Sequence, residues 1–217
     1  MISKNLKERI FTSLILFFLA GLVIINYTIL VYISIVLGVM SIIEFVNLSK
    51  NILQNYIYKF VINSLFISYV LLFFSLFIFY SSFTQFKIIL FILLFGCVAS
   101  DLGGYIFGKI LKGPKLTKIS PKKTISGSIG SFIFSIILVS SLIFYFTNQF
   151  SFKNILIGFF TSFACQSGDI FFSYLKRKAK FKDTGNLLPG HGGILDRLDG
   201  IYFGIPVGFV TLILVYL

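Results

Sequence analysis

Long apolar runs alternate with short polar segments along most of the chain. Roughly 20 apolar residues in helical form cross the hydrocarbon core of a bilayer. Runs of about that length lie near residues 10 to 26, 28 to 48, 59 to 83, 86 to 108, 125 to 147, 152 to 175 and 199 to 217. This pattern predicts an all-α, polytopic membrane protein with about seven transmembrane helices.

A short segment that favours a break, the predicted soft point, separates the first two apolar runs. Asn26, Tyr27 and Thr28 are the only residues there that favour a break, so we expect a tight turn and a helical hairpin. No small-residue cleavage site follows the first run, which is therefore expected to remain as a membrane anchor rather than be removed as a signal peptide.

Composition excludes a soluble protein. Hydrophobic residues make up 57% of the chain, charged residues 12%, and the mean hydropathy is +0.98. No internal repeat or soluble second domain is visible. Residues 1–217 are therefore interpreted as a single integral-membrane domain.

The basic residues are distributed very unevenly. With seven spans, seventeen of the nineteen Lys and Arg residues share one side, and only Lys87 and Lys153 fall on the other. Because basic residues near span ends are retained in the cytoplasm, we expect the loops at about 109–124 and 176–199 to be cytoplasmic. The expected location is a bacterial-type inner membrane, with the bilayer and no nucleic acid as partner.

Five of the seven acidic residues lie in or beside the two basic loops: Asp101, Asp169, Asp183, Asp196 and Asp199. Asp101 and Asp169 fall inside apolar runs, where an ionisable side chain is costly and is a functional candidate by default. The alternative is that such an Asp pairs with a nearby Lys for structural reasons.

Helical spacing arranges some of these residues in stripes. On the sixth span the stripe follows i, i+3 and i+4 steps: Gln166, Asp169, Ser173, Lys176 and Arg177. Such a stripe is typical of a cavity wall that opens to the cytoplasm. On the fourth span, Asp101, Gly104 and Gly108 indicate either close approach of a ligand or ordinary small-residue helix packing.

The loop after the fourth span interleaves Lys with Gly, Pro, Ser and Thr. An irregular loop of this kind can hold an anionic headgroup or a triphosphate through ammonium groups, hydroxyls and backbone amides. The sequence contains neither G-x-x-x-x-G-K-[ST] nor G-x-G-x-x-G, so a P-loop or Rossmann nucleotide site is not indicated.

The segment beginning at Ser173 carries S-x-x-K-R-x-x-x-x-K-D-x-G-x-x-x-P-G-H-G-G-x-x-D-R-x-D. This motif resembles the hallmark of the phosphatidate cytidylyltransferases, the CDP-diacylglycerol synthases. Residues 120–124, S-P-K-K-T, resemble a second motif of that family. The chain departs from the family pattern at Ser126 and Phe172, where Glu is usual, and at Gly200, where Ser is common.

The resemblance implies an enzyme of phospholipid biosynthesis that converts CTP and phosphatidic acid into CDP-diacylglycerol and pyrophosphate with Mg²⁺. CTP, phosphatidic acid and the bilayer are then its partners, and a homodimer is left open. The resemblance implies that Asp169 and Asp196 are the main metal ligands and that Asp199 is either a third ligand or a residue that orients them. It assigns the contacts to phosphate and pyrophosphate to Lys176, Arg177 and Arg197.

The remaining motif residues are predicted to bind substrate: Ser120, Lys122, Lys123, Thr124, Ser173, Lys182, Asp183, Gly190, His191, Gly192 and Gly193. The glycines allow unusual backbone angles and close approach of amides to phosphate oxygens. His191 is expected to contact a ligand or orient the loop, because a phosphate monoester is already largely ionised near neutral pH and needs no catalytic base.

Two other functions remain in view. A CTP-dependent transferase acting on another lipid, such as an isoprenoid or archaeal-type lipid, would use the same chemistry. A non-enzymatic, ion-coupled transporter would use its intramembrane Asp residues instead. Broken helices in paired halves would favour the transporter, and none is visible. The concentration of Asp, Lys, Arg and Gly in the loops favours the enzyme.

Overall fold

A computed structural model describes residues 18–117, 119–185 and 192–216. Its helices are Tyr27–Ile52 (α1), Tyr56–Ser81 (α2), Thr84–Ile110 (α3), Ile125–Thr147 (α4), Phe152–Lys178 (α5), Leu195–Leu198 (α6) and Ile201–Tyr216 (α7). Residues 18–25 are also helical. Within these ranges no β-strand forms, although Lys115 and Thr124 make an isolated bridge.

Helices dominate because backbone polar groups must be satisfied within the segment when no water is present. Across the part of the chain that is described, six helices are long and apolar enough to cross a membrane, the last running from Leu195 to Tyr216. They match the second to seventh predicted spans. Of the first predicted span, residues 10–17 lie outside the described residues, and residues 18–25 are helical. The prediction of an all-α polytopic membrane protein is confirmed.

Polar side chains define where several helices begin. Asn26 adopts an extended conformation, and its side chain accepts hydrogen bonds from the amides of Thr28 and Ile29. Asn55 caps α2 through the amide of Ile57, at 2.9 Å. The helix is thus interrupted at the predicted soft point. The predicted hairpin involves residues before 18, outside the described residues.

The described chain forms two compact units. The first unit comprises residues 18–82 and Leu175–Leu198, and the second comprises Phe83–Tyr174 and residues 199–216. The boundary falls within α5 and again at the end of α6. Each unit therefore contains one part of the signature motif, the segment from Ser173 to Asp199 whose pattern is given above. The interpretation of residues 1–217 as one domain stays a prediction.

In the first unit, α1 packs closely against α2. The rings of Phe45 and Phe66 stack with centroids 3.7 Å apart. At Gly38, a Cβ atom would lie 3.0 Å from the ring of Phe74, so the missing side chain permits close approach. This packing buries the side of α1 that carries Leu48.

In the second unit, small residues allow α3 to approach α4. A Cβ atom on Gly104 would lie 2.6 Å from Oγ of Ser131, and one on Gly108 would lie 3.1 Å from Oγ1 of Thr124. Gly103 likewise approaches the backbone of α4. The glycines of the fourth-span stripe therefore serve helix packing, which was one of the two interpretations of that stripe.

Candidate active site

In the first unit, Lys176 and Asp196 form an ion pair. Lys176 lies in the last turn of α5, and Asp196 lies in the short helix α6. The distance from Nζ to Oδ1 is 2.7 Å, and the two side chains are 12% and 9% exposed. Because both partners are largely withdrawn from solvent, the pair holds a defined geometry.

The other oxygen of Asp196 accepts two backbone hydrogen bonds. The amide of Thr184 donates to Oδ2 at 2.8 Å, and the amide of Gly193 donates to it at 3.0 Å. One carboxylate therefore connects the two chain ends that flank residues 186–191 and also binds Lys176. Residues 186–191, which include the predicted contacts Gly190 and His191, lie outside the described residues.

Gly192 occupies a position that demands glycine. Its φ of 83° lies in the left-handed region. A Cβ atom there would also lie 3.0 Å from Oδ2 of Asp196 and 3.5 Å from Cβ of Asp183. At Gly192, therefore, both the positive φ and the lack of room for a side chain account for the glycine.

Glu44 is the residue of this unit that sequence reasoning missed. It lies on α1, is 3% exposed, and accepts hydrogen bonds from Oγ1 of Thr184 at 2.6 Å and from the amides of Ile194 at 3.0 Å and Leu195 at 2.9 Å. A signal was available, since Glu44 is one of two glutamates in the chain and stands in an apolar run.

Two motif glycines make room for the Glu44 carboxylate. A Cβ atom on Gly185 would lie 2.7 Å from Oε1 of Glu44. One on Gly193 would lie 2.8 Å from Cδ of Glu44 and would also meet the hydroxyl of Thr184. These glycines therefore allow a buried carboxylate to reach the backbone of the motif.

In the second unit, Lys123 and Asp169 form a comparable ion pair. Nζ of Lys123 lies 2.8 Å from Oδ2 of Asp169, and the side chains are 31% and 21% exposed. Lys123 directly precedes Thr124, which caps α4 through the amide of Gly127 at 3.1 Å. This cap fixes the end of the second motif beside the middle of α5.

Close packing of two glycines places Asp199 near Asp169. A Cβ atom on Gly168 would lie 2.5 Å from the carbonyl oxygen of Asp199, and one on Gly200 would lie 3.3 Å from Oδ1 of Asp169. Asp199 is 9% exposed, and its Oδ1 accepts a hydrogen bond from the amide of Gly200 at 2.9 Å.

Gln166, the first member of the sixth-span stripe, connects two helices. Oγ of Ser128 on α4 donates to its Oε1 at 2.5 Å, and its Nε2 donates to Oγ of Ser162 at 3.1 Å. Gln166 therefore contributes to the packing of α4 on α5, one turn from Asp169.

The two departures from the family's Glu positions have local explanations. Phe172 is 2% exposed and packs near the rings of Tyr202 and Phe203, so this position belongs to an apolar core. Ser126 donates a short hydrogen bond to the carbonyl of Lys112. Both side chains have structural roles in the second unit.

The other predicted residues differ in how exposed they are. Five of them are exposed: Lys122, Arg177, Lys182, Asp183 and Arg197. Arg177 donates to the carbonyl of Phe181 at 3.4 Å. Ser120 and Ser173 are partly buried. The amide of Ser120 donates to Oγ1 of Thr117 at 3.1 Å.

The carboxylates differ in how well they suit a metal ion. The described residues contain no group of three or more His, Cys, Asp or Glu side chains that could hold one. Mg²⁺, however, is often bound by one or two carboxylates together with substrate phosphates. Asp169 suits such a site as a single carboxylate, because only its Oδ2 is paired with Lys123. Asp196 already accepts hydrogen bonds at both oxygens, from Lys176 and from two amides.

The fold and these groups define an integral-membrane protein in which motif lysines are paired with aspartates. Residues 2–215 match the cytidylyltransferase family. The chain therefore belongs to the cytidylyltransferase family, and the predicted membership is confirmed. The prediction of a transferase enzyme is confirmed with it.

Individual relatives carry a more specific name. The chain is 36% identical to a phosphatidate cytidylyltransferase of Rickettsia typhi, over 95% of this chain and 91% of that protein. It is 39% identical to a phosphatidate cytidylyltransferase of Helicobacter pylori, over 61% of this chain and 49% of the relative. For one of Rickettsia bellii the identity is 45%, over 54% of this chain and 55% of the relative.

Proposed function

We propose that this protein transfers the cytidylyl group of CTP to phosphatidic acid, forming CDP-diacylglycerol and pyrophosphate in a bacterial-type inner membrane. The observation that carries the proposal is the pairing of a motif Lys with an Asp in each unit, Lys123 with Asp169 and Lys176 with Asp196. The names of the curated relatives support the choice of substrates.

The reaction joins two anionic molecules. A phosphate oxygen of phosphatidic acid attacks the α-phosphorus of CTP, the bond from that phosphorus to the bridging oxygen breaks, and pyrophosphate leaves with the electron pair. Transfer of this kind gains mainly from positioning and from neutralisation of developing charge. Lysine side chains supply both when they bind phosphate oxygens.

Each of the two lysines is paired with its aspartate. We propose that phosphate oxygens replace the aspartate as the partner of Lys123, whose pair is the more exposed. Lys176 is held by a carboxylate that is anchored to two backbone amides, so its ammonium group has a fixed position. Arg177 and Arg197 are proposed to add contacts to phosphate or pyrophosphate.

Magnesium dependence is part of the proposal. When bound, Mg²⁺ would neutralise phosphate charge and orient the reacting groups. Asp169 fits as the residue that holds it in the second unit, with Asp199 as a proposed further ligand. The metal role predicted for Asp196 stays a prediction, and its contacts support a further role in holding Lys176. Ser120, Lys122, Thr124, Ser173, Lys182 and Asp183 remain proposed substrate contacts.

The proposed orientation places the loops at 109–124 and 176–199 in the cytoplasm. It is supported by the uneven distribution of basic residues, and CTP is a cytoplasmic substrate. Phosphatidic acid would then approach from the bilayer and CTP from water. Assembly into a homodimer stays a prediction.

An acceptor experiment tests the proposal. Detergent-purified protein would be incubated with Mg²⁺ and CTP labelled at the α-phosphorus, with phosphatidic acid, a phosphorylated isoprenoid or no lipid. We expect label in the lipid phase only with phosphatidic acid and Mg²⁺. Label transfer to the isoprenoid alone would identify another acceptor, and no transfer to any lipid would contradict the enzyme and favour the transporter.

A further inference from the structure

Glu44 is a buried acidic side chain in the middle of an apolar helix. Burial of a carboxylate is costly unless hydrogen bonds satisfy its oxygens. Both oxygens of Glu44 accept hydrogen bonds, and among the described residues the donors are Thr184, Ile194 and Leu195, about 140 to 150 positions away in the chain. This buried carboxylate therefore binds the signature motif.

Glu44 and Asp196 tie together the same two stretches of chain. Glu44 binds the hydroxyl of Thr184 on one stretch and the amides of Ile194 and Leu195 on the other. Asp196 binds the amide of Thr184 and the amide of Gly193. Thr184 is shared, since its side chain contacts one carboxylate and its backbone contacts the other.

This sharing connects Glu44 to the lysine of the ion pair. The position of Asp196 depends on the amides of Thr184 and Gly193, and Lys176 is held by Asp196. A shift of Thr184 or of residues 193–195 would displace the carboxylate that fixes the lysine. None of these hydrogen bonds joins Glu44 directly to Lys176.

We propose that Glu44 is a positioning residue of the active site. It fixes Thr184 and residues 193–195, so that Asp196 holds Lys176 in the geometry that binds a phosphate group of the substrate. Glu44 acts through these neighbours and does not touch substrate. The choice of substrate rests on the proposed function, whereas the fixing of the motif backbone does not.

Two pairs of variants isolate this role. Glu44→Gln preserves size, but one oxygen becomes an amide group that cannot accept a hydrogen bond, so at least one of the three donors loses its partner. Thr184→Val removes the hydroxyl that Glu44 binds, whereas Thr184→Ser retains it. Ser49→Ala is the control on the same helix, because Ser49 is also buried and donates within α1 to Val46.

Hydrogen exchange of the detergent-purified full chain measures the backbone directly. We expect the amides of Ile194 and Leu195 to exchange about tenfold faster or more in Glu44→Gln, because they lose a charged acceptor. Ser49→Ala should exchange like the wild-type protein at both residues. Wild-type exchange at Ile194 and Leu195 in Glu44→Gln would overturn the proposal.

Kinetics separate positioning from a general loss of structure. We expect kcat for label transfer from CTP to fall roughly 10²-fold in Glu44→Gln and Thr184→Val, with a much smaller change in KM for CTP, because a misplaced lysine stabilises developing charge poorly. Thr184→Ser should restore most of the rate. Equal losses in Thr184→Ser and Thr184→Val would overturn the proposal.

The exchange measurement also distinguishes a failure of the proposed function from a failure of the positioning role of Glu44. If the wild-type protein transfers no label to lipid, the proposed function fails, and faster exchange at Ile194 and Leu195 in Glu44→Gln still supports the positioning role. If the wild-type protein is active and Glu44→Gln retains both its rate and its exchange, the positioning role fails and the proposed function stands.

Discussion

The carboxylate of Glu44 accepts a hydrogen bond of 2.6 Å from the hydroxyl of Thr184, 140 residues further along the chain. The amide of the same Thr184 donates to Asp196, which pairs with Lys176. One threonine thus connects a transmembrane helix to an ion pair of the signature motif. A residue that precedes the motif by more than a hundred positions therefore binds the motif backbone.

Lys176→Met is expected to destabilise the protein strongly. The substitution leaves Asp196 largely buried without its cation, and breaking a buried pair costs about 3–5 kcal/mol. Thermal unfolding in detergent should show a lower midpoint by several degrees. Lys178→Met, at an exposed position in the same helical turn, serves as the control. An unchanged midpoint in Lys176→Met would contradict the buried-pair account.

Lys123→Met should lower activity much more than stability. Its ion pair is partly exposed, so we expect a stability change of no more than about 1 kcal/mol. Label transfer should nevertheless fall by roughly 10²-fold, since a phosphate contact is lost. Lys87→Met, on the side of the membrane assigned to the minority of basic residues, should retain activity. A Lys123→Met enzyme with wild-type kinetics would remove Lys123 from the site.

Gly193→Ala should impair the first unit. The new methyl group would meet the Glu44 carboxylate and the Thr184 hydroxyl, both of which are hydrogen-bonded and cannot easily move. We expect a lower unfolding midpoint and a large loss of transfer activity. Gly21→Ala is the matched control, because a methyl group there would have no atom within 4 Å. Similar behaviour of the two variants would refute the packing argument.

Cysteine labelling can test the proposed orientation. Lys112 and Gln149 are exposed and lie in consecutive loops, whereas the native Cys97 and Cys165 are buried. In intact spheroplasts, an impermeant maleimide should label Gln149→Cys, and it should label Lys112→Cys only after permeabilisation. The reverse pattern would show that the basic loops face outward and that they cannot meet cytoplasmic CTP.

The sequence was sufficient to predict the helices and the motif residues, because span length and motif spacing are local properties. Residues 125–147, for example, match the predicted fifth span at both ends. The pairings were not predictable in the same way. Lys123 and Asp169 are 46 residues apart, and Glu44 and Leu195 are 151 apart, so only tertiary packing brings each pair together.

The glycines illustrate the same distinction. The helical spacing of Gly104 and Gly108 is compatible with both a ligand site and a helix contact. Only the position of α4 shows that these glycines serve helix packing. Gly185 and Gly193 belong to a recognised motif, yet the reason for glycine there is the carboxylate of Glu44. A sequence motif identifies the residues, but only the structure shows what those residues contact.

The most direct test of the central claim follows two labels through one reaction. Purified protein would receive phosphatidic acid, Mg²⁺ and CTP labelled at either the α- or the γ-phosphorus, with Asp169→Asn assayed in parallel. The account predicts α-label in lipid, an equal amount of γ-label in soluble pyrophosphate, and loss of both signals in Asp169→Asn. Transfer of γ-label to lipid, or no transfer of either label, would contradict it.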